Sequence, residues 1–371
     1  MALLLQEEAY AAEGEHLPHI IGPGMGHAFH PDTRAEVMRR LAAEVRKGRD
    51  TDPDSISLQT RTLRYNKCHW LTIEGLDEHW LDSRLDAKRV DYTHSETLSA
   101  NTQLVVSSSN VNAFTAAPFL DMSGATVVID GQTVQEPAGL DRPVVRSMFV
   151  KDGGGAWSWI PPTASGLPPT VPDGALQKAH LLQGPIDDAF LEPFIVVTPT
   201  GSTPGAPEVD AYIEFELAHF IRRWEAVIRG VPRVMKDTEI NQDQLRRFNL
   251  ILFGTPESNV HVKTVTSRDG RMALPIGWSA DAVTVGEQVY DAKTHVPSFV
   301  YPSCFSDYDV LGHYVVVNSG VTHREGHDHN NSLQNPHLPD WAVVDITQPP
   351  SRLSPGRIAA ADFFDEAWQL K

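Results

Sequence analysis

Two hydrophobic periods divide this chain, and the change between them near residue 200 limits what it can fold into. Before that point apolar side chains alternate with polar ones, the pattern of strands with one buried face. Ser57–Arg64 and His69–Ile73 read as strands, with Glu74–Gly75 as a turn. Thr102–Ser107, Ala125–Ile129, Val144–Val150 and Phe194–Val197 continue the series. Asp130–Gly131 is a hairpin signal, because such a turn needs positive φ and glycine tolerates it. Gly153–Gly155 is a further turn, and Pro161–Pro172 a proline-rich connector. After the proline- and glycine-rich stretch Pro199–Pro207 the period becomes helical. Ile213, Leu217, Phe220, Ile221, Trp224 and Ile228 make one apolar face, ended by Gly230 and Pro232. A helix about Asn241–Phe248 then leads into the buried-type strand Leu250–Phe253. Val283–Val285, Ser298–Tyr301, Tyr314–Val317 and Trp341–Ile346 are further strands. Helices alternating with short apolar strands indicate an α/β layer.

The expected architecture is therefore mixed α and β in three parts. Residues 1–60 hold a strand, a loop and a helix, residues 61–200 form a β-sandwich-like domain, and residues 201–371 form an α/β domain. In the first part Thr33 and Glu36 suggest a capping box for a helix over Arg34–Lys47, stopped by Gly48. Val37, Leu41 and Val45 would share one face of it, which needs a partner surface and predicts a homo-oligomer or repacking onto the β-rich part.

Charge narrows the functional classes. The 371 residues include 48 acidic and 31 basic side chains, a formal net charge of −17. Phosphate contacts need a basic face, so a nucleic-acid partner is not expected. No apolar run approaches the roughly 18 residues of a membrane span, and Glu7 and Glu8 follow Met1–Leu5 at once, unlike a secretory signal. The expectation is a soluble, cytoplasmic chain with no membrane partner. Cys68 and Cys304 lie in no CxxC pair and make no disulfide framework.

Three segments carry chemistry. His19–His27 reads HIIGPGMGH, an apolar strand and a glycine-rich loop ending in a histidine. Flexible neighbours let such a histidine approach substrate as a general base, which makes His27 the catalytic candidate, with a structural or surface histidine as the competing reading. No GxSxG nucleophile elbow occurs, and Gly277-Trp278-Ser279-Ala280 is the nearest approach. With 26 residues before His27, a complete serine triad of the α/β-hydrolase order is not expected.

The second segment, HREGHDHNN, offers His323, His327 and His329 as metal ligands if His327–His329 is extended. Three imidazoles with a carboxylate behind them suit zinc, whose bound water would ionise near neutral pH. A solvated polar loop is the competing reading. Asp307 and Asp309 offer oxygen ligands for calcium. The third segment is the loop after Leu250–Phe253, where Gly254, Ser258 and Asn259 either hold an anion on backbone N–H groups or make a tight turn. Trp157, Trp159 and Phe149 read more simply as core aromatics than as a sugar-stacking platform.

HIIGPGMGH followed by FHPDTRAEV resembles the catalytic-histidine region of large bacterial prolyl-oligopeptidase-like serine hydrolases. LQGPIDDAFLEPF (Leu182–Phe194), NLILFGTPESN (Asn249–Asn259) and LPDWAVVDI (Leu338–Ile346) are similar to the C-terminal extension of those proteins. The resemblance spans nearly all of this chain but only the family's C-terminal part. It implies that residues 1–60 are a hydrolase-domain remnant, with His27 as the triad histidine and the nucleophile-bearing half missing. The expected function is hydrolysis of small esters or lactones, with water activated by His27 or by a histidine-bound divalent metal (zinc or calcium). The rival reading is a non-catalytic binding or interaction module left from a truncated peptidase-like hydrolase.

Overall fold

The computed structural model describes residues 2–12, 14, 16–92, 101–119, 122, 124–137, 146–160, 176–267, 273–305 and 312–371. The Pro161–Pro172 connector and the calcium candidates Asp307 and Asp309 lie outside the described residues. Two compact units make up the chain, Met1–Pro53 and Asp54–Lys371.

The first unit holds helices α1 (Ala2–Ala12) and α2 (Pro31–Lys47). The capping box expected from Thr33 and Glu36 does not form. Pro31 occupies the first turn, where its missing N–H costs nothing, so the cap moves to His30, whose Nδ1 accepts from the Asp32 N–H at 3.3 Å. Glu36 instead pairs with Arg39 and Arg40, while Thr33 Oγ1 donates to the Ile21 carbonyl. The strand expected before the glycine-rich loop is also missing, for residues 16–22 have no regular structure. Leu41 and Val45 on α2 are exposed.

The second unit begins with ten strands: β1 (Ser55–Thr60), β2 (Lys67–Cys68), β3 (Leu71–Leu76), β4 (Ser83–Val90), β5 (Gln103–Ser109), β6 (Val111–Ala116), β7 (Thr126–Ile129), β8 (Gln132–Val134), β9 (Ser147–Lys151) and β10 (Trp157–Ile160). They form two five-stranded sheets, ordered β1-β4-β5-β7-β8 and β10-β9-β6-β3-β2. One core joins them, with Leu85, Leu104 and Val106 from the first sheet and Ile73, Phe114 and Phe149 from the second. Burying each such side chain contributes about 1.5–3 kcal/mol. Trp157 and Trp159 are buried in this core and present no sugar-binding platform. Asp130 and Gly131 both have positive φ and close the β7–β8 hairpin as their sequence requires. Glu74–Gly75 is not a turn. Gly75 sits within β3 at a register shift against β6, and a Cβ there would lie 2.3 Å from Asn112 Oδ1. Glycine marks a close backbone approach here rather than a chain reversal.

The remaining elements are β11 (Phe194–Thr198), α3 (Pro207–Ile228), β12 (Val234–Lys236), α4 (Gln242–Arg247), β13 (Asn249–Leu252), α5 (Val260–Thr266), the small antiparallel sheet β14 (Ile276–Trp278), β15 (Ala282–Val285) and β16 (Gln288–Asp291), then β17 (His295–Pro302), β18 (Tyr314–Val317), β19 (Trp341–Asp345) and β20 (Arg357–Asp362). A seven-stranded sheet runs β12-β11-β13-β18-β17-β19-β20, parallel through β18 and antiparallel beyond it.

This topology relocates β11. Its apolar run reads like the last strand of the β-rich part, yet it pairs with β12 and β13. Pro199–Pro207 is therefore the loop joining β11 to α3, not a connector between layers. Thr203 ties it down by donating to Asp210 on α3, while the Gly201 N–H donates to the Ser258 carbonyl. Every residue of β13, β18 and β19 is buried, as expected of strands covered on both faces. The carboxyl ends of β11, β13 and β18 thus open onto one edge of the sheet, where ligands of α/β folds usually bind. No helix among the described residues is long and apolar enough to cross a membrane.

Candidate functional site

Polar residues gather at that edge. Along α3, Tyr212, Glu216, His219 and Arg223 recur every three or four positions and are all buried, so one helix face delivers a polar stripe to the sheet. The chain leaving β18 supplies Asn318, Ser319, Gly320, Thr322, His323 and Arg324 opposite it. Between the two lies a cleft of about 150 Å³, closed on its far side by His327, His337, Leu338, Leu353, Pro355 and Ile358.

An ion pair between Glu216 and Arg324 forms the floor, both side chains 7% exposed. A second Arg324 nitrogen donates to the Ser351 carbonyl at 2.6 Å. Burial outweighs the guanidinium and pushes the Glu216 carboxyl up to about 7. Glu216 Oε1 and the Tyr212 hydroxyl are buried without a hydrogen-bond partner among the described residues. The serine hydroxyls of the lining are already donating, Ser298 to the Asn318 carbonyl at 2.9 Å and Ser319 to the Gly320 carbonyl at 3.0 Å. Thr322 is fixed from behind by Asp187, which accepts its N–H at 3.1 Å and its hydroxyl. Burial raises the Asp187 carboxyl to about 6.

The histidine-rich stretch folds against α3. Glu325–His327 is a 3₁₀ turn rather than an extended strand. Its carboxylates reach back to the helix, Glu325 to His219 Nε2 at 3.0 Å and Asp328 bidentately to Arg223 at 2.8 and 2.9 Å. This coiling separates the three expected metal ligands. His327 Nδ1 accepts the Arg324 N–H at 3.0 Å and its ring stacks on His337, centroids 3.7 Å apart. His323 is buried and its Nε2 lacks a partner among the described residues, while His329 is exposed. Desolvation and the nearby Arg223 cation hold the His323 imidazole below its ordinary pKa. Among the described residues no three His, Cys, Asp or Glu side chains converge as a metal site.

The glycine loop after β13 is a tight turn whose donors are used internally. The Gly254 N–H donates to Asn318 Oδ1, the Thr255 N–H to Ser258 Oγ, and the His261 N–H to Asn259 Oδ1, all within 2.8–2.9 Å. Gly254 has φ +136°, and a Cβ there would lie 2.7 Å from the Asn259 Cβ. Asn259 caps α5, and its own amide donates to the Phe253 carbonyl. An anion would have to displace these bonds, so Gly254, Ser258 and Asn259 serve the turn.

His27 lies exposed in a bend of the first unit, three residues after Gly24 of the turn at Pro23–Gly24. Neither Ser258 nor Ser319 hydrogen-bonds to a histidine among the described residues.

Sequence reasoning missed Tyr212, Glu216, His219, Arg223 and Arg324. A signal existed on α3, where the four polar positions recur at helical spacing beside the apolar ones, but spacing by itself suggests a solvated face. No protein-family model matches the chain, and neither the curated proteins nor the solved structures contain a match to it.

Proposed function

We propose that this chain acts as a binding module, taking a small polar molecule into the cleft between α3 and the segment after β18. One observation carries the reading: Glu216 Oε1 and the Tyr212 hydroxyl are buried at the cleft without a well-formed hydrogen bond among the described residues. A buried polar atom without a partner costs about 1–3 kcal/mol, and a ligand that bonds to it recovers that cost. The test is a thermal-shift screen of small polar molecules against the intact chain and its Tyr212→Phe variant. A ligand that raises the melting temperature of the parent and less so that of the variant supports the reading. Stabilisation equal in both removes the cleft from consideration.

A second reading keeps hydrolysis of small esters or lactones, favoured by the exposure of His27 on its glycine-rich loop. There His27 would act as general base on water. Its removal by His27→Ala should cost about 10²–10⁴-fold in turnover of an activated ester. Unchanged turnover in that variant excludes the role. A histidine-bound metal is the weaker form of this reading, since His323, His327 and His329 do not converge.

A further inference from the structure

Resting on the binding-module reading, we infer that the cleft between α3 and the segment after β18 recognises a neutral polyol, a compact molecule carrying several hydroxyl groups. Four features of the lining select this class. The first is that the site is rich in acceptors. Glu216 Oε1 has no donor, and Ser298 Oγ and Ser319 Oγ have spent their protons on the carbonyls of Asn318 and Gly320, which leaves their lone pairs. A ligand that fits must bring several hydrogens to donate.

Charge supplies the second. Arg324 is the cation of the floor, but its two terminal nitrogens are engaged by Glu216 and by the Ser351 carbonyl. A carboxylate or phosphate reaching for the remaining N–H groups of Arg324 would meet the Glu216 carboxylate that already neutralises the guanidinium. An ammonium group would approach Glu216 beside the Arg324 guanidinium that already neutralises it. A hydroxyl escapes both repulsions.

A donor set for the ligand's own oxygens is the third feature. Tyr212 is 2% exposed, and its hydroxyl, beside Ser298, makes no well-formed hydrogen bond among the described residues and can donate as well as accept. His327 accepts the Arg324 N–H at Nδ1, which places the proton of its neutral ring on Nε2. Hydroxyl groups donate and accept through one atom and so satisfy both kinds of wall.

Size and the apolar wall complete the set. About 150 Å³ is smaller than the roughly 300–1,000 Å³ typical of drug-sized ligands, which favours a molecule of a few carbons. Leu338, Leu353, Pro355 and Ile358 offer the surface against which its C–H groups would pack.

Calorimetric titration of the intact chain at pH 8.5, where Glu216 with its pKa of about 7 is ionised, tests the inference with glycerol, erythritol, D-ribose and myo-inositol, and with putrescine and succinate as the charged alternatives. The expected result is millimolar or tighter binding of at least one polyol and none of the charged pair. Tyr212→Phe should weaken that binding up to about tenfold, the worth of one neutral hydrogen bond. Glu216→Gln should weaken it by more than tenfold, since hydrogen bonds to a charged acceptor are stronger. Circular dichroism melts establish that each variant is folded, and if Glu216→Gln is not, Tyr212→Phe decides alone. Polyol binding that ignores both substitutions places the molecule elsewhere and overturns the inference. Binding of putrescine or succinate, lost on Tyr212→Phe, overturns the polyol class while the binding-module reading stands. Failure of all six probes to bind overturns the inference and deprives the binding-module reading of its ligand class.

Discussion

Within the Asp54–Lys371 unit, the edge strand β1 and the inner strands β13, β18 and β19 bury their residues differently. Along β1 the six residues alternate exposed and buried, so charge and hydroxyl groups leave the core on every second position. In β13, β18 and β19 every residue is buried, and polar groups have no outward face to occupy. They are displaced to the strand ends and the first turns beyond, where Asn318, Ser319, Arg324 and Asp340 are all buried. Arg89 in the β layers shows the contrast, because its buried guanidinium reaches the largely exposed Asp54 carboxylate. The comparison teaches why a ligand site belongs to one layer. Desolvated polar atoms beyond the carboxyl ends of the parallel strands create the need for a partner at that edge.

The largest effect should come from the ion pair of Lys178 with Asp340, whose side chains are both fully buried. Asp340→Ala leaves the ammonium buried without its carboxylate and also strips the Phe364 N–H of its acceptor. A loss of about 3–5 kcal/mol in urea denaturation is expected. Replacing both partners with apolar residues should restore much of it. If Asp340→Ala is harmless, buried charge does not distinguish the layers. The β-layer counterpart, the exposed pair Arg61–Asp82, should give no measurable change on Asp82→Asn.

Next in size is a pH effect confined to the α/β layer. Burial raises Glu216 from 4.5 to about 7 and Asp187 from 3.8 to about 6. Between those limits the folded chain binds more protons than the unfolded one. Their contribution is thus complete below about pH 4 and is lost as pH rises towards 7, on the order of 3 kcal/mol for each group. Denaturation midpoints across that window check the sign, and Glu216→Gln should flatten the slope. Asp345, held down to about 2 by hydrogen bonds from Thr347 and Arg357, acts in the opposite sense at more acid pH. A slope that survives Glu216→Gln unchanged would show that the carboxyl is better solvated than the cleft geometry implies.

The smallest expected effect sharpens a local point. Asn241 and Gln244 form a reciprocal capping box on α4, and Asn241→Ala should cost about 1 kcal/mol without altering ligand binding in the cleft. A change in binding would mean that α4 helps to position the sheet edge.

Local pattern alone determined much of this protein. Tyr314–Val317 was readable as a strand to the residue, Asp130–Gly131 as a hairpin, and Asn241 as the start of a helix, because each depends on neighbours in the chain. Near Thr33 the same reasoning failed, since Pro31 fixes the first helical turn and moves the cap to His30. The partner of β11 was not readable, for an apolar run of five residues pairs equally well with either layer until the sheet closes. The cleft was not readable either. Whether Glu216 and Arg223 on α3 face water or a core depends on what covers the helix, and that cover comes from residues about one hundred positions later. Tertiary structure alone decided that Glu325 and Asp328 fold back onto His219 and Arg223. The histidine-rich segment there is a 3₁₀ turn at Glu325–His327, and His323, His327 and His329 do not converge among the described residues. The same contact covers the polar stripe from which the candidate site is made.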